Sequence, residues 1–223
     1  MERMATKGER TRNTILEETI RLIATEGFDS ITYDRIARST GVSRQLVQKY
    51  FPDRGKWLIL AFARATESLV ESLASRLAQP ANAQQRLEAY IDCHFDWAEA
   101  QPHEAATLLA FLCLAASHAE AKEENTRTNG AGWERIRGLI VEMELNGFSP
   151  EGARLSRARL DGVARGVQAM LIGALTLWQT DSAARLEEMK RLTQSWIAAA
   201  LTRAWEDSGS PRALRGSAKP HRR

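Results

Sequence analysis

Cysteine is scarce in this chain of 223 residues, and its thiols are not arranged for cross-linking. The two cysteines are Cys93 and Cys113, neither belongs to a C-x-x-C pair, and both lie in apolar stretches with helical spacing. Reduced thiols in a helical interior are therefore a better interpretation than a disulfide or a metal site.

Long apolar runs are also missing. No run reaches the roughly 18 residues that a membrane helix needs, and the charged N-terminus lacks the apolar core of a signal peptide. We therefore expect a cytoplasmic protein that does not interact with a membrane.

The motifs of common catalytic sites are lacking as well. The four histidines are His94, His103, His118 and His221, and no pair of the first three has the i, i+4 spacing of a helical metal site. The sequence has neither a glycine-rich phosphate loop nor a nucleophile elbow. Cys93 and His94 are adjacent, so on a helix their side chains point roughly 100° apart, which disfavours a catalytic dyad. We therefore predict a protein that is not an enzyme and that needs no cofactor or metal.

What the chain does have is 43% hydrophobic residues, enough to bury a sizeable core, and an uneven distribution of charge. Residues 31–56 carry a formal charge of +4, residues 57–206 carry −4, and residues 207–223 carry +4. A basic end on an acidic body is expected if only that end contacts a polyanion.

Residues 31–57 have the pattern of two short helices joined by a tight turn. Thr32 is a plausible N-cap for a first helix that we expect to run to about Ser39. Gly41 supplies the backbone freedom that a chain needs to reverse between two helices within three or four residues, and Ser43 can cap the second helix. The sequence therefore predicts a helix-turn-helix.

The second helix presents hydrogen-bond donors on its outer side. Its apolar residues recur at near-helical spacing, which leaves arginine, lysine and glutamine on the opposite side. Arginine and lysine can bind phosphates or guanine, and glutamine can pair with adenine, which is the chemistry of a recognition helix in a major groove. The alternative is an ordinary helical hairpin with its charged side in water. The predicted DNA-binding residues are Thr32, Ser43, Arg44, Gln45, Gln48, Lys49, Tyr50 and Arg54.

Three motifs resemble the DNA-binding domain of the TetR family of transcriptional regulators. They are I-L-x-x-x-x-x-L-I-A-x-x-G-F at residues 15–28, I-A-x-x-x-G-V-S at residues 36–43, and Y-F-P at residues 50–52 followed by the basic Arg54. The resemblance implies a homodimeric repressor that binds a palindromic operator in double-stranded DNA. It also implies an all-helical body that holds a small-molecule effector, with dimerisation through the last two long helices.

Two residues depart from the family pattern. Gln48 stands where the family usually has an aromatic residue that contacts a phosphate, and Thr40 stands where it usually has alanine. The first departure puts one backbone contact in doubt and leaves the fold expectation unchanged.

We therefore predict an all-α protein with an N-terminal three-helix DNA-binding domain and a C-terminal helical bundle for effector binding and dimerisation. The predicted boundaries are a flexible arm at 1–11, the helix-turn-helix domain at 12–56, the effector and dimerisation domain at 57–206, and a disordered basic tail at 207–223.

Proline, glycine and capping residues divide the larger domain. A long helix over about 54–79 joins the two domains, and further helices are expected at about 82–100, 103–119, 132–146, 149–179 and from 181 onward. Ser149 and Pro150 have the pattern of a cap followed by a first helical residue. Residues 120–131, which are rich in charge and end near glycine, are expected to be the least ordered part of the body.

Small residues follow one side of the helix predicted for 149–179. Each glycine disfavours a helix by about 1 kcal/mol relative to alanine, and close approach of another helix explains why three of them share one side. We predict that this side and one side of the last helix form the homodimer interface, with the residues Ala158, Gly162, Gly166, Ala169, Gly173, Met189, Thr193, Ile197 and Ala200.

The body also contains aromatic and methionine residues with few polar groups among them, a composition typical of a site for a mostly apolar ligand. Plain core packing explains each of these residues singly. The predicted ligand-binding residues are Tyr90, His94, Trp97, Phe111, His118, Trp133, Met143, Met170 and Trp178. Two other functions stay open at this point, an enzyme that modifies a small molecule and a DNA-binding protein without an effector.

Overall fold

The computed structural model describes residues 6–78 and 82–209, and every regular element within those ranges is a helix. The all-α prediction is therefore confirmed. The α-helices are α1 (Lys7–Glu26), α2 (Tyr33–Thr40), α3 (Arg44–Tyr50), α4 (Arg54–Leu77), α5 (Ala83–Ala100), α6 (Pro102–Ser117), α7 (Ala119–Leu145), α8 (Arg157–Thr180) and α9 (Leu186–Gly209). The tail was predicted to be disordered over 207–223, but residues 207–209 are the end of α9, and its remainder, 210–223, lies outside the described residues.

The chain forms two compact units. Unit 1 contains the described residues up to Ser75 together with Asp96–Thr128, and unit 2 contains Arg76–Phe95 and the described residues from Asn129. The predicted DNA-binding domain, residues 12–56, lies wholly within unit 1.

Helix α1 begins earlier than the sequence analysis expected. The Thr6 hydroxyl accepts a hydrogen bond from the Glu9 amide at 3.2 Å, and the Glu9 carboxylate accepts from the Thr6 amide at 2.7 Å. This reciprocal pair is a capping box, which satisfies two amides that a helix N-terminus leaves free. Residues 7–11 are therefore helical and do not belong to a flexible arm.

The core of unit 1 is built around Trp57 at the start of α4. Its indole ring stacks on Phe51, with ring centroids 5.2 Å apart, and on Tyr33, with centroids 5.6 Å apart. Buried aliphatic side chains from α1 to α4 surround this stack, among them Ile15, Leu16, Ile20, Ile23, Ile36, Val47, Leu58 and Ala61. The helix-turn-helix is thus packed on α1 and α4 through one continuous core.

Helix α7 runs without interruption through residues 120–131, which the sequence analysis expected to be poorly ordered. Ala121 is buried, and Arg127 forms an i, i+3 ion pair with Glu124. Gly132 permits close packing, because a Cβ at that position would lie 3.0 Å from the side-chain amide of Gln168. The expectation was wrong because the charged residues of this stretch lie on the surface of a helix and pair with each other, while Ala121 packs in a buried position.

Helix α8 begins at Arg157, later than predicted. Residues Pro150–Gly152 form a single 3₁₀ turn that ends where Gly152 adopts a left-handed φ of 72°. Ser156 is the N-cap, and its hydroxyl accepts from the amide of Arg159 at 3.4 Å. The helix start predicted at Ser149 was therefore wrong, because Ser149 precedes a short connecting 3₁₀ turn and the cap of α8 is Ser156.

Helix α8 also has the length and composition of a membrane-spanning helix, with a mean hydropathy of 1.2 over 18 of its 24 residues. It reaches this value although glycine, glutamine and threonine interrupt its apolar residues. The core helices of water-soluble proteins have the same character. Composition alone therefore does not assign this helix to a bilayer.

Candidate DNA-binding surface and effector region

The turn between α2 and α3 is fixed by local hydrogen bonds at the predicted residues. The Thr32 hydroxyl accepts from the Arg35 amide at 3.2 Å, and the Ser43 hydroxyl accepts from the Leu46 amide at 3.2 Å. Gly41 has φ 71° and ψ 12°, the left-handed conformation that ends α2. Thr32 and Ser43 are exposed, and each hydroxyl keeps its own proton for a further acceptor such as a phosphate.

Helix α3 has one buried side and one polar side. Val47 is fully buried, whereas Arg44, Gln45, Gln48 and Lys49 are exposed. The polar side chains therefore form a row of donors along an exposed helix that is seven residues long.

Arg44 has a weak partner within the same domain. Its Nε lies 3.5 Å from a carboxylate oxygen of Asp34, and both side chains are more than half exposed. An exposed ion pair of this kind stabilises a fold by about 0–1 kcal/mol, so Arg44 stays available for an external anion or base.

Tyr50 lies beside the first turn of α1. A Cβ added to Gly8 would lie 3.1 Å from the Tyr50 hydroxyl. The first turn of α1, in which Lys7 and Arg10 are exposed, therefore lies near the Tyr50 side chain, although it is 40 residues or more before it in sequence. The capping box at Thr6 is the local signal that would have located this helix start.

Arg54 is directed at the protein's own backbone. Its Nε donates to the Ile31 carbonyl at 3.1 Å, and its Nη2 donates to the Phe28 carbonyl at 2.7 Å. The sequence analysis expected Arg54 to bind DNA, and no sequence pattern signals the two backbone contacts that the structure shows.

Three of the predicted ligand-binding residues belong to unit 1. Phe111 is fully buried and stacks on Phe62 with centroids 3.8 Å apart. The buried Trp97 donates from its indole N–H to the Ser68 hydroxyl at 2.9 Å. His118 is exposed at the C-cap of α6. Phe111 therefore serves the core of unit 1.

Tyr90 and His94 form a contact on α5 in unit 2. Their ring centroids are 4.6 Å apart, and His94 Nδ1 lies 2.8 Å from the Tyr90 carbonyl oxygen. A carbonyl only accepts, so Nδ1 carries the proton and Nε2 is the acceptor of a neutral ring. Burial lowers the pKa of His94 to about 4 and raises the pKa of Tyr90 to about 12. Both side chains are therefore uncharged near neutral pH.

Trp133 connects α7 to α8. The guanidinium carbon of Arg165 lies 4.0 Å from the centroid of the Trp133 ring, a cation–π contact. Beside it, Gln168 donates to the Asn129 side chain at 3.0 Å. Of the other predicted ligand-binding residues in unit 2, Met143 is buried and Met170 and Trp178 are half-buried.

The predicted dimer residues divide by exposure. Ala158, Gly162, Ala169 and Gly173 on α8 are exposed, whereas Thr193 and Ile197 on α9 are fully buried inside the protomer. Gly166, Met189 and Ala200 are half-buried.

Large apolar side chains on α8 and α9 are exposed beside these small residues. Leu177, Leu192 and Trp196 have relative exposures of 53%, 51% and 45%. A Cβ on Gly166 would lie 3.4 Å from Trp196, which shows that the two helices meet there. We name this the α8/α9 apolar surface, and its members are Gly162, Ala169, Gly173, Leu177, Leu192 and Trp196.

Comparison with known proteins identifies relatives of this chain. Residues 15–56 match the model of bacterial regulatory proteins of the tetR family. The chain is 25% identical over 191 residues to the HTH-type transcriptional regulator BetI of Rhizobium meliloti, covering 85% of this chain and 89% of that protein. It is 34% identical over 108 residues to BetI of Escherichia coli, covering 48% of this chain and 54% of that protein. The chain thus matches about half the length of the second relative.

Solved structures share the fold at low sequence identity. A putative transcriptional regulator from Saccharomonospora viridis in complex with choline has a TM-score of 0.74 and 18% identity, covering 85% of this chain and 96% of that one. The transcriptional regulator FadR from Bacillus subtilis in complex with stearoyl-CoA has a TM-score of 0.71 and 18% identity, covering 84% of this chain and 98% of that one.

Proposed function

We infer that this chain, which belongs to the TetR family of transcriptional regulators, is a repressor that binds a palindromic DNA operator as a homodimer. A small, mostly apolar ligand releases it from that operator. The observation that carries the proposal is α3, an exposed row of Arg44, Gln45, Gln48 and Lys49 on a helix whose other side is anchored in the core by Val47.

The residues of α3 divide by the DNA groups that they reach. Arg44 and Gln45 lie in the first turn, the part of a recognition helix that contacts base edges, and they specify sequence. Gln48, Lys49 and Tyr50 follow toward the C-terminal end and bind phosphates, as do the hydroxyls of Thr32 and Ser43. The charge of +4 on residues 31–56 supplies the attraction to the DNA backbone.

The α8/α9 apolar surface supports the homodimer. Leu177, Leu192 and Trp196 expose apolar area that a single chain leaves in water, and the glycines beside them let a second helix approach closely. A two-fold dimer presents two copies of α3 to one side of the duplex, at half-sites about 34 Å apart or somewhat more.

The ligand binds in unit 2, among α5, α7 and α8. The uncharged Tyr90 and His94 offer a hydroxyl and a ring nitrogen beside apolar side chains, which suits an apolar ligand with one polar group. Structural neighbours contain choline, a cation, and stearoyl-CoA, which has a long acyl chain. One side of the Trp133 ring already contacts the Arg165 cation, so a quaternary ammonium would meet like charge there. The acyl or aromatic class is therefore favoured.

Helix α4 transmits the effect of the ligand to α3. Trp57 in its second turn stacks on Phe51 directly after α3, so a displacement of α4 moves the recognition helix. Shifting a population from about 1:99 to 99:1 requires a ligand preference of about 5.5 kcal/mol between the two states, which burial of a drug-sized apolar molecule can supply. By linkage, DNA weakens binding of such a ligand by the same factor.

The experiment begins with footprinting on the DNA upstream of the chain's own coding sequence. Acyl-chain and aromatic ligands, with choline as the cationic comparison, are then titrated while Trp fluorescence and operator binding are followed together. A ligand that binds and lowers operator affinity supports the proposal. A ligand that is consumed supports the enzyme alternative, and one that binds without changing DNA affinity supports a DNA-binding protein without an effector.

A further inference from the structure

We propose that Arg54 is a positioning residue that connects the first turn of α4 to the backbone in front of α2, and that it does not contact a DNA phosphate. This goes beyond the proposed function, which assigns DNA contacts to α3 and its caps and leaves Arg54 without a role.

The first observation is the geometry of the guanidinium. Nε and Nη2 of Arg54 donate to two different carbonyls, Ile31 at 3.1 Å and Phe28 at 2.7 Å. Phe28 begins the short 3₁₀ turn after α1 and Ile31 is the C-cap of that turn. The Phe28 carbonyl also accepts from the Ile31 amide at 3.1 Å, so Arg54 uses the second lone pair of that oxygen. Two N–H groups held in one rigid plane match two neighbouring acceptors better than a single ammonium does.

The second observation is a contact that runs in the opposite direction. The Tyr33 hydroxyl in the first turn of α2 lies 2.9 Å from the Phe51 carbonyl and 3.2 Å from the Pro52 carbonyl. Arg54 thus joins the start of α4 to the segment before α2, and Tyr33 joins the start of α2 to the segment before α4. Trp57 stacks on the Tyr33 ring between them.

The third observation concerns the N-terminus of α4, where a phosphate would have to bind. Asp53 already caps this helix, because its carboxylate oxygen accepts from the Lys56 amide at 3.0 Å. A carboxylate at that position satisfies one of the free amides of the first turn and repels a second anion. The negative charge of Asp53 therefore disfavours a phosphate at this end of α4.

A functional consequence follows from these contacts. Because α4 is connected to the chain on both sides of the helix-turn-helix, its first turn, α2 and α3 move as one body. Arg54 thereby transmits the position of α4 to the recognition helix.

The test compares Arg54→Ala and Arg54→Lys with Lys49→Ala as the matched control. The probe is a random-sequence DNA duplex, since binding to phosphates requires no known operator. Two quantities are measured for each full-length variant, the slope of log K against log salt concentration and the midpoint of thermal unfolding. A lost phosphate contact lowers the slope by about 0.9 per contact in duplex DNA.

We expect Arg54→Ala to keep the wild-type salt slope and to lower the unfolding midpoint by about 5 °C, because two charge-assisted hydrogen bonds are lost. Arg54→Lys keeps the charge but not the planar pair of donors, so it should lower the midpoint nearly as much. If Arg54→Ala is already unfolded at the temperature of the DNA measurement, the slope and midpoint of Arg54→Lys decide the question.

Two results would overturn the proposal. One is a fall in the salt slope for Arg54→Ala with an unchanged midpoint, and the other is a wild-type midpoint for Arg54→Lys. The control separates this proposal from the proposed function, because Lys49→Ala should lower the slope and leave the midpoint unchanged. An unchanged salt slope for Lys49→Ala would contradict the proposed DNA-binding surface on α3. The unfolding midpoints of the two Arg54 variants would then decide the role of Arg54.

Discussion

The indole N–H of Trp57 donates to the hydroxyl of Thr19 at 3.1 Å, and that hydroxyl donates in turn to the Ile15 carbonyl at 2.6 Å. Trp57 and Thr19 have relative exposures of 1% and 0%. Since Thr19 lies on α1 and Trp57 on α4, this buried pair joins the helix that supports the helix-turn-helix to the helix that leaves it. An unpaired indole N–H at this depth would lack any solvent partner.

Replacing Thr19 with valine should lower the free energy of unfolding by about 1–3 kcal/mol, because the side chain keeps its shape while the Trp57 N–H loses its acceptor. Thr14→Val is the matched control, since Thr14 lies on the same helix and donates to the Arg10 carbonyl at 3.1 Å but is exposed. Urea unfolding checks both variants. A loss for Thr19→Val no larger than that of the control would contradict the prediction.

Replacing Arg44 or Gln45 with alanine should cost about 1–3 kcal/mol of operator binding and relax the base preference at one position of each half-site. The reason is that both side chains are exposed in the first turn of α3 and free to reach base edges. Arg203→Ala on the exposed side of α9 is the control and should bind the operator like the wild type. Binding to a set of operator variants measures the preference, and an unchanged preference for both α3 variants would place the reading residues elsewhere.

Replacing Leu177 with glutamate should convert the homodimer to monomers, because a charge would be buried at the α8/α9 apolar surface without a partner. Leu177 is a cleaner site than Gly166, where a larger side chain would also press on Trp196 of the same chain. Leu145→Glu is the control, since Leu145 is 65% exposed on α7. Sedimentation velocity gives the outcome, and a persistent dimer in the Leu177 variant would rule this surface out.

Stability should fall as the pH is lowered from about 6.5 toward 4, because burial lowers the pKa of His94 to about 4 in the folded chain from a usual value of 6.5. Between these values the unfolded chain binds a proton that the folded chain does not, so the stabilisation is complete above 6.5 and is lost on acidification. The backbone carbonyl of Tyr90 raises the pKa of His94, and the charge of Arg135 lowers it.

The effect of this single group amounts to at most about 3 kcal/mol, and less to the extent that the half-buried ring is reached by water. Urea titrations at several pH values measure it, with His94→Gln as the variant that cannot titrate. If the pH dependence of His94→Gln between 6.5 and 4 equals that of the wild type, His94 is not its source.

The bounds of α2 and α3 were predictable to within a residue or two. Thr32, Gly41 and Ser43 have the roles that the sequence analysis assigned to them, since an N-cap or a left-handed glycine acts on amides three or four residues away. The same reasoning failed at Ser149, where a second serine at Ser156 caps the helix. Both serines have the sequence pattern of an N-cap, and only the packing of the folded chain determines which of them starts the α-helix.

The sequence by itself determined the all-α class, the position of the helix-turn-helix and the polar side of α3, because those signals repeat with the helical period or act within one turn. Only the tertiary structure decided the partners of Arg54, which are 23 and 26 residues away, and the partner of Trp57, which is 38 residues away. It also decided that Trp196 is exposed while Ile197 is buried. Helix α9 has apolar residues on several of its sides, so hydropathy cannot distinguish the side that packs within the chain from the side that is exposed. The helices that pack against α9 in the folded chain make that distinction.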